Sequence, residues 1–183
     1  PETTVLSLLA AIPHTTRTIY FSQRRLNSDQ TNYYITIDGD DPAVFAPGAK
    51  PTIVVTQGTV EDWIIQNRAG EVHTFHIHQV HFMAIEINGQ PVAASDLKLQ
   101  DVIFVPLYDG TTGFPSVRLR MDFTSVVVGT FVYHCHMLAH EDYGMMAVIQ
   151  VVPPSTPPPL FPDGLFPAAT TTPADESPRP SPS

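Results

Sequence analysis

The stretch Gly129-Thr130-Phe131-Val132-Tyr133-His134-Cys135-His136, followed by His140 and Met145, decides how this chain is read. A run of β-branched and aromatic residues entering His-Cys-His is extended chain rather than helix. Along an extended strand the side chains at i and i+2 share a face, and the one between them turns away. His134 and His136 therefore face one side and Cys135 the other. A second run, His73-Thr74-Phe75-His76-Ile77-His78, has the same logic. His76 and His78 share a face, while His73 sits at an odd offset from both and points with the opposite group. The donors fall into two sets: His73, Cys135, His140 and Met145, against His76, His78, His134 and His136.

The chemistry of each set follows from its atoms. A thiolate, two imidazoles and a weak axial thioether make the ligand combination of a blue-copper electron-transfer site. His140 and Met145 are expected on a loop folded back over that metal, with Gly144 easing the turn. A structural cysteine beside a core methionine is the bland alternative, and it leaves the histidines unexplained. The second set, four neutral imidazoles, suits copper, zinc or nickel. His134 and His136 are bonded directly to Cys135, so a short covalent path joins the sets, and zinc would leave that path unused. His81 breaks parity with His76 and His78 and reads as a supporting residue. His14 is isolated and receives no role. Trp63 and Met146 read as core, and Met137 as core or site wall. Asp101, Asp122, Glu141 and Asp142 are expected to be solvated, though Glu141 and Asp142 flank His140 and could shape access to it.

Outward from these runs the pattern stays β. Thr18–Phe21, Tyr33–Ile37, Thr52–Thr56, Val60–Gln66, Val72–His78, Phe82–Ile87, Val102–Val105, Val117–Phe123, Thr130–His134 and Met146–Val152 read as short strands separated by Gly, Pro, Asn and Asp. Such a series predicts an all-β chain: an antiparallel sandwich or Greek-key barrel. Residues 31–152 form the expected domain and residues 1–30 a lead-in or linker. Residues 153–183 hold eleven of the nineteen prolines and are expected to be a flexible or extended polyproline tail.

Composition narrows the partners. A formal charge of -9 argues against nucleic acid and anionic membrane surfaces, and no apolar run approaches the ~20 residues of a membrane helix. One cysteine excludes an internal disulfide. The chain begins at Pro1 without an initiating Met, which leads us to expect a processed chain or a piece of a longer one. A copper-bound thiolate fits a secreted or periplasmic protein.

At the level of motifs, His73-x-x-His76-x-His78 with His134-Cys135-His136-x3-His140-x4-Met145 resembles the C-terminal cupredoxin domain of multicopper oxidases, the family of laccases, ascorbate oxidases and cuprous or ferrous oxidases. Ile37-Asp38-Gly39, Val55-Thr56-Gln57-Gly58 through Trp63, and Gly129 to Tyr133 add to the likeness, which spans roughly residues 30–152. The resemblance implies a cupredoxin-like Greek-key fold. It implies a type 1 copper on His73, Cys135 and His140 with Met145 axial, a type 2 copper on His76, and a type 3 pair on His78, His134 and His136. It further implies that a small reducing substrate (a phenol, an aromatic amine or a metal ion) yields electrons one at a time at the exposed edge of His140. Dioxygen would then be reduced to water at a trinuclear cluster, four coppers serving the complete enzyme.

Two departures stand out. Gln79-Val80-His81 follows His78 where the family often has Gly-His. The family's cluster also uses eight histidines and this chain supplies four. The missing four are expected from N-terminal oxidase domains on a separate or cleaved chain, against which the Pro-rich tail could lie; alternatively, a second copy of this chain supplies them. The rival from another class is an electron-transfer cupredoxin with a single blue copper and no oxidase activity, for which the H-x-H pairs would be superfluous. Copper nitrite reductases have a longer Cys-to-His spacing, and a zinc hydrolase would not explain Cys135.

Overall fold

In the computed structural model the described residues are 4–110 and 113–155. The expected Pro-rich tail falls almost wholly outside them. Among the described residues twelve strands make two sheets, and the order of elements reflects where β-branched runs meet turn residues. The strands are β1 Thr15–Arg25, β2 Thr31–Ile37, β3 Ile53–Thr56, β4 Val60–Asn67, β5 His73–Ile77, β6 Phe82–Ile87, β7 Gln90–Pro91, β8 Leu99–Gln100, β9 Val102–Val105, β10 Ser116–Asp122, β11 Gly129–Cys135 and β12 Met146–Val152. Two short helices, α1 Val5–Ala10 and α2 Leu138–Asp142, complete the fold with one 3-10 turn at Ala94–Asp96.

The first sheet runs β2-β1-β4-β10-β6-β7, with β8 beside β6, and the second runs β3-β12-β11-β5-β9. Their facing sides alternate into a shared core that includes Phe21, Trp63, Phe75, Phe123, Tyr133 and Cys135. Trp63 meets Tyr133 edge-on at 5.7 Å and Phe75 at 6.3 Å, an arrangement that aromatic quadrupoles favour. This is the expected β-sandwich, and Trp63 is core.

Two expectations need correction. The sheets are mixed rather than purely antiparallel: β1 lies parallel to β4, and β12 parallel to β3. The β1–β2 hairpin occupies one edge of β1, so β4 joins the other edge after the chain has crossed to the second sheet to lay down β3. Residues 1–30 are not a linker, because β1 is eleven residues long and buries Ile19 and Phe21 in the core. The apolar run from Val5 is a helix. Its Thr4–Ser7 capping box satisfies the first amides, and Leu8 packs on Val60 and Met83 on the outer face of the first sheet. Arg120 donates to the Leu9 carbonyl at 2.8 Å, and with Arg118 it brackets the fully buried Asp62 carboxylate. Among the described residues, no helix is long and apolar enough to cross a membrane.

Candidate metal centre

Strand pairing sets the site. β11 lies antiparallel to β5, with Cys135 opposite Phe75 and His134 opposite His76. Both members of the first pair enter the sandwich, and both members of the second turn out of it. The pairing continues past the strand ends, since His78 donates its backbone N–H to Val132 at 3.1 Å and His136 to Thr74 at 2.8 Å. His78 and His136 thus keep the parity of the strands they follow.

Inside the sandwich the Cys135 Sγ lies 3.8 Å from His73 Nδ1 and 3.7 Å from His140 Nδ1, and the two Nδ1 atoms are 3.1 Å apart. All three side chains are buried. His140 is on α2 rather than on the expected loop, its N–H bonded to the Met137 carbonyl. Met145 is fully buried, and its backbone ties the two elements together: its N–H donates to the His140 carbonyl and its carbonyl accepts from Cys135 N–H. Phe21 stacks on His73 at 4.9 Å, the first sheet's contribution to the pocket. Phe45 N–H donates to the Gly144 carbonyl, so the loop between β2 and β3 straps the turn before Met145.

Outside the sandwich, His78 Nε2 and His134 Nε2 are 3.3 Å apart. The His76 ring lies 5.1 Å from His78, 5.2 Å from His134 and 5.0 Å from His136. Two backbone carbonyls aim these rings. His76 Nδ1 lies 2.8 Å from the Asp101 carbonyl, and His134 Nδ1 lies 3.0 Å from that of Cys135. A neutral imidazole that donates through Nδ1 keeps its Nε2 lone pair free for a metal. Glu141, expected to be solvated, reaches back to His134 with its carboxylate 3.3 Å from Nδ1. His81 is exposed on the rim of the depression that His76 and His78 line. Gln79 takes a left-handed backbone, φ 61°, at the position where the family often has glycine; a non-glycine residue there is strained by roughly 1–2 kcal/mol.

Electrostatics favour neutral donors. Burial, then the nearby His140, pushes His73 down to about 3. Burial, then His134 and His76, lowers His78. Burial pushes the Cys135 thiol up, so a cation in the pocket is what would hold it as thiolate. First-row metal bonds of about 2.0–2.3 Å place neighbouring tetrahedral donors about 3.3–3.7 Å apart. The inner trio has nearly that spacing, and within both the inner trio and the group His76, His78 and His134 the ligand atoms lie within 4.8 Å of one another. Sulfur with two imidazoles fits copper in the inner pocket, and imidazoles alone fit it outside.

A further expectation fails at His140. The edge of His140 is not exposed: the residue is 4% accessible. The Glu71 carboxylate sits 3.0 Å from its Nε2, and the Tyr33 ring stacks on it at 4.3 Å. Glu71 was legible in principle, lying two residues before His73 and so on its side of an extended chain. Tyr33 carries no local signal, because its contact crosses from one sheet to the other.

Comparison with known proteins agrees with this fold. The family model described as Multicopper oxidase matches residues 16–155. The "Multicopper oxidase mco" of Staphylococcus haemolyticus is 29% identical over 139 residues, 71% of this chain and 29% of that protein. The laccase of Haloferax volcanii is 36% identical over 93 residues, 49% of this chain and 15% of that protein. The solved metallo-oxidase from Campylobacter jejuni superposes with a TM-score of 0.62 at 26% identity, covering 78% of this chain and 31% of that one. The chain therefore spans under a third of these longer relatives.

Proposed function

The chain belongs to the multicopper oxidase family, and from that premise we propose that it is the electron-accepting part of a laccase-like copper oxidase. In this reading His73, Cys135 and His140, with Met145 beside them, would hold a type 1 copper, and His76, His78, His134 and His136 would supply half of a trinuclear cluster. Four further imidazoles come from N-terminal oxidase domains, whether on a second chain or on a longer precursor. When bound, the coppers supply one-electron oxidation of a small reducing substrate and four-electron reduction of dioxygen to two waters. The rest falls to this chain's own atoms. Cys135 and its two histidine neighbours connect the inner and outer donors through a few covalent bonds. The Cys135 carbonyl also accepts from His134 Nδ1, a second path between the sets. Phe21, Phe75 and Tyr133 exclude water from the inner donors. The Glu141 carboxylate stands where it can hold a proton beside His134.

The observation that carries this reading is the back-to-back placement of two donor clusters by adjacent residues of one strand. An electron shuttle with one copper needs only the inner trio. The test is to load the full chain with copper, then record its absorption and metal content. An intense thiolate-to-copper band is expected, lost in Cys135→Ser with the fold retained. A copper-saturated chain without colour defeats the type 1 assignment. Full occupancy of the outer donors and oxygen consumption are expected only when the partner domains are present.

A further inference from the structure

His140 is held by two groups that the oxidase reading does not use, Glu71 and Tyr33. Its Nδ1 faces Cys135 and His73, while its Nε2 lies 3.0 Å from Glu71 Oε2. The same carboxylate oxygen accepts from the Tyr33 hydroxyl at 3.3 Å, and the other accepts from Gln23 Nε2 at 3.2 Å. The Tyr33 ring lies over the imidazole at 4.3 Å with an interplanar angle of 18°. Gln23 and Tyr33 pair directly across the β1–β2 ladder. Glu71 is thus anchored to the first sheet while it grips a ligand attached to the second.

This arrangement has consequences for the ring. An imidazole offers a metal only the nitrogen that carries no proton, and the partner of the other nitrogen decides which that is. A carboxylate accepts and does not donate, so it selects the Nε2–H tautomer and leaves the Nδ1 lone pair aimed at the thiol. His73 shows the contrast: among the described residues its buried Nε2 has no hydrogen-bond partner, so nothing grips that ring from its distal side. The grip also closes the imidazole to direct contact by a donor molecule. What faces solvent beside the inner site is the Glu71 carboxylate, 43% accessible, with Tyr33 next to it.

We propose that Glu71 is a positioning residue for His140: with Tyr33 stacked above the ring, its carboxylate fixes the tautomer and angle at which His140 Nδ1 meets the inner metal pocket, and the Glu71–Tyr33 pair, rather than the imidazole edge, is the surface that a reducing substrate meets. The proposal rests on the reading of the inner trio as a copper site, and its test separates the two. A carboxylate on the distal nitrogen makes the imidazole a stronger donor. A stronger donor stabilises the oxidised, more positive copper and lowers its potential.

The first measurement needs no metal. In the full chain, nitrogen-15 shifts of the His140 ring should report Nε2–H in the wild type and a mixture of tautomers in Glu71→Ala. Finding Nδ1–H in the wild type, or no change in the variant, overturns the proposal. The second uses the copper-loaded chain. Glu71→Gln keeps an acceptor but removes the charge, so the blue band should persist while the copper(II)/copper(I) equilibrium shifts about tenfold toward copper(I), a rise of about 59 mV for one electron. Glu71→Ala should also weaken copper binding about 10–100-fold, and Tyr33→Phe, which keeps the stack, should leave the potential close to wild type. A Glu71→Gln variant with unchanged potential and only slower reduction of its copper by an added phenol would make Glu71 a substrate contact and overturn the positioning role. A colourless wild type would defeat the copper assignment, and the tautomer measurement alone would then decide the role of Glu71.

Discussion

Cys135, His140 and His76 test the division of donors one atom at a time. His140→Ala removes one of two imidazoles around the thiol, so the copper-loaded chain should lose its blue band. His76→Ala removes an outward donor and should leave the band intact while abolishing oxygen consumption in the complete enzyme. Absorption spectra of the two variants decide the matter, and equal colour in both would contradict the parity of β5 and β11. A second residue-scale expectation concerns Tyr133. Burial pushes this phenol up to about 12, partly opposed by its hydrogen bond to Thr52. The unfolded chain ionises it near 10. Below pH 10 both states hold the proton, and between 10 and 12 only the folded state does. Folding stability should therefore fall by about 1.4 kcal/mol per pH unit across that window, as denaturant titrations would show, and Tyr133→Phe should flatten the slope. The eight proposed ligands were legible because strand alternation and donor softness act locally. The Tyr33 contact with His140 was not, because it depends on how two sheets face each other.

At the scale of elements, the turn between α2 and β12 holds the inner pocket shut. Gly144 has φ 101°, and a Cβ there would run into the Val44 side chain of the strap from the β2–β3 loop. Gly144→Ala should cost roughly 2–4 kcal/mol, combining backbone strain with overpacking. Adding Val44→Ala should recover the packing part and leave the strain, which thermal melts of the single and double variants would separate. The main strands were readable from β-branched runs bounded by turn residues, and most ends fall within a residue or two of expectation. β1 is longer than expected because its polar ends, Thr15 to Arg17 and Gln23 to Arg25, pair with neighbours in the sheet although they lack apolar periodicity. The helices are too short for a 3.6-residue period to register. α1 forms because a capping box and an apolar floor are both present. The parallel partners of β1 and β12 depend on crossovers between sheets, which no local window contains.

The whole molecule presents an unfinished surface. Cys135 and its companions lie inside this chain's own walls, whereas His78 and His136 are exposed around a buried His134. Phe104 and Val102, across β5 on the neighbouring strand, are also substantially exposed. One face thus combines outward imidazoles with apolar surface, the features that the proposed docking of N-terminal oxidase domains requires. A separated chain with its outer imidazoles open has no means of choosing its metal, since such sites follow the general order in which nickel and zinc also bind well. The untagged chain should therefore be retained on immobilised nickel resin, and His76→Ala combined with His136→Ala should elute earlier. Retention unaffected by that pair would mean that these rings do not act together. On the proposed reading the order of events matters: the outer imidazoles would have to meet either the proposed partner domains or copper before an adventitious cation arrives, whereas the buried thiol can wait.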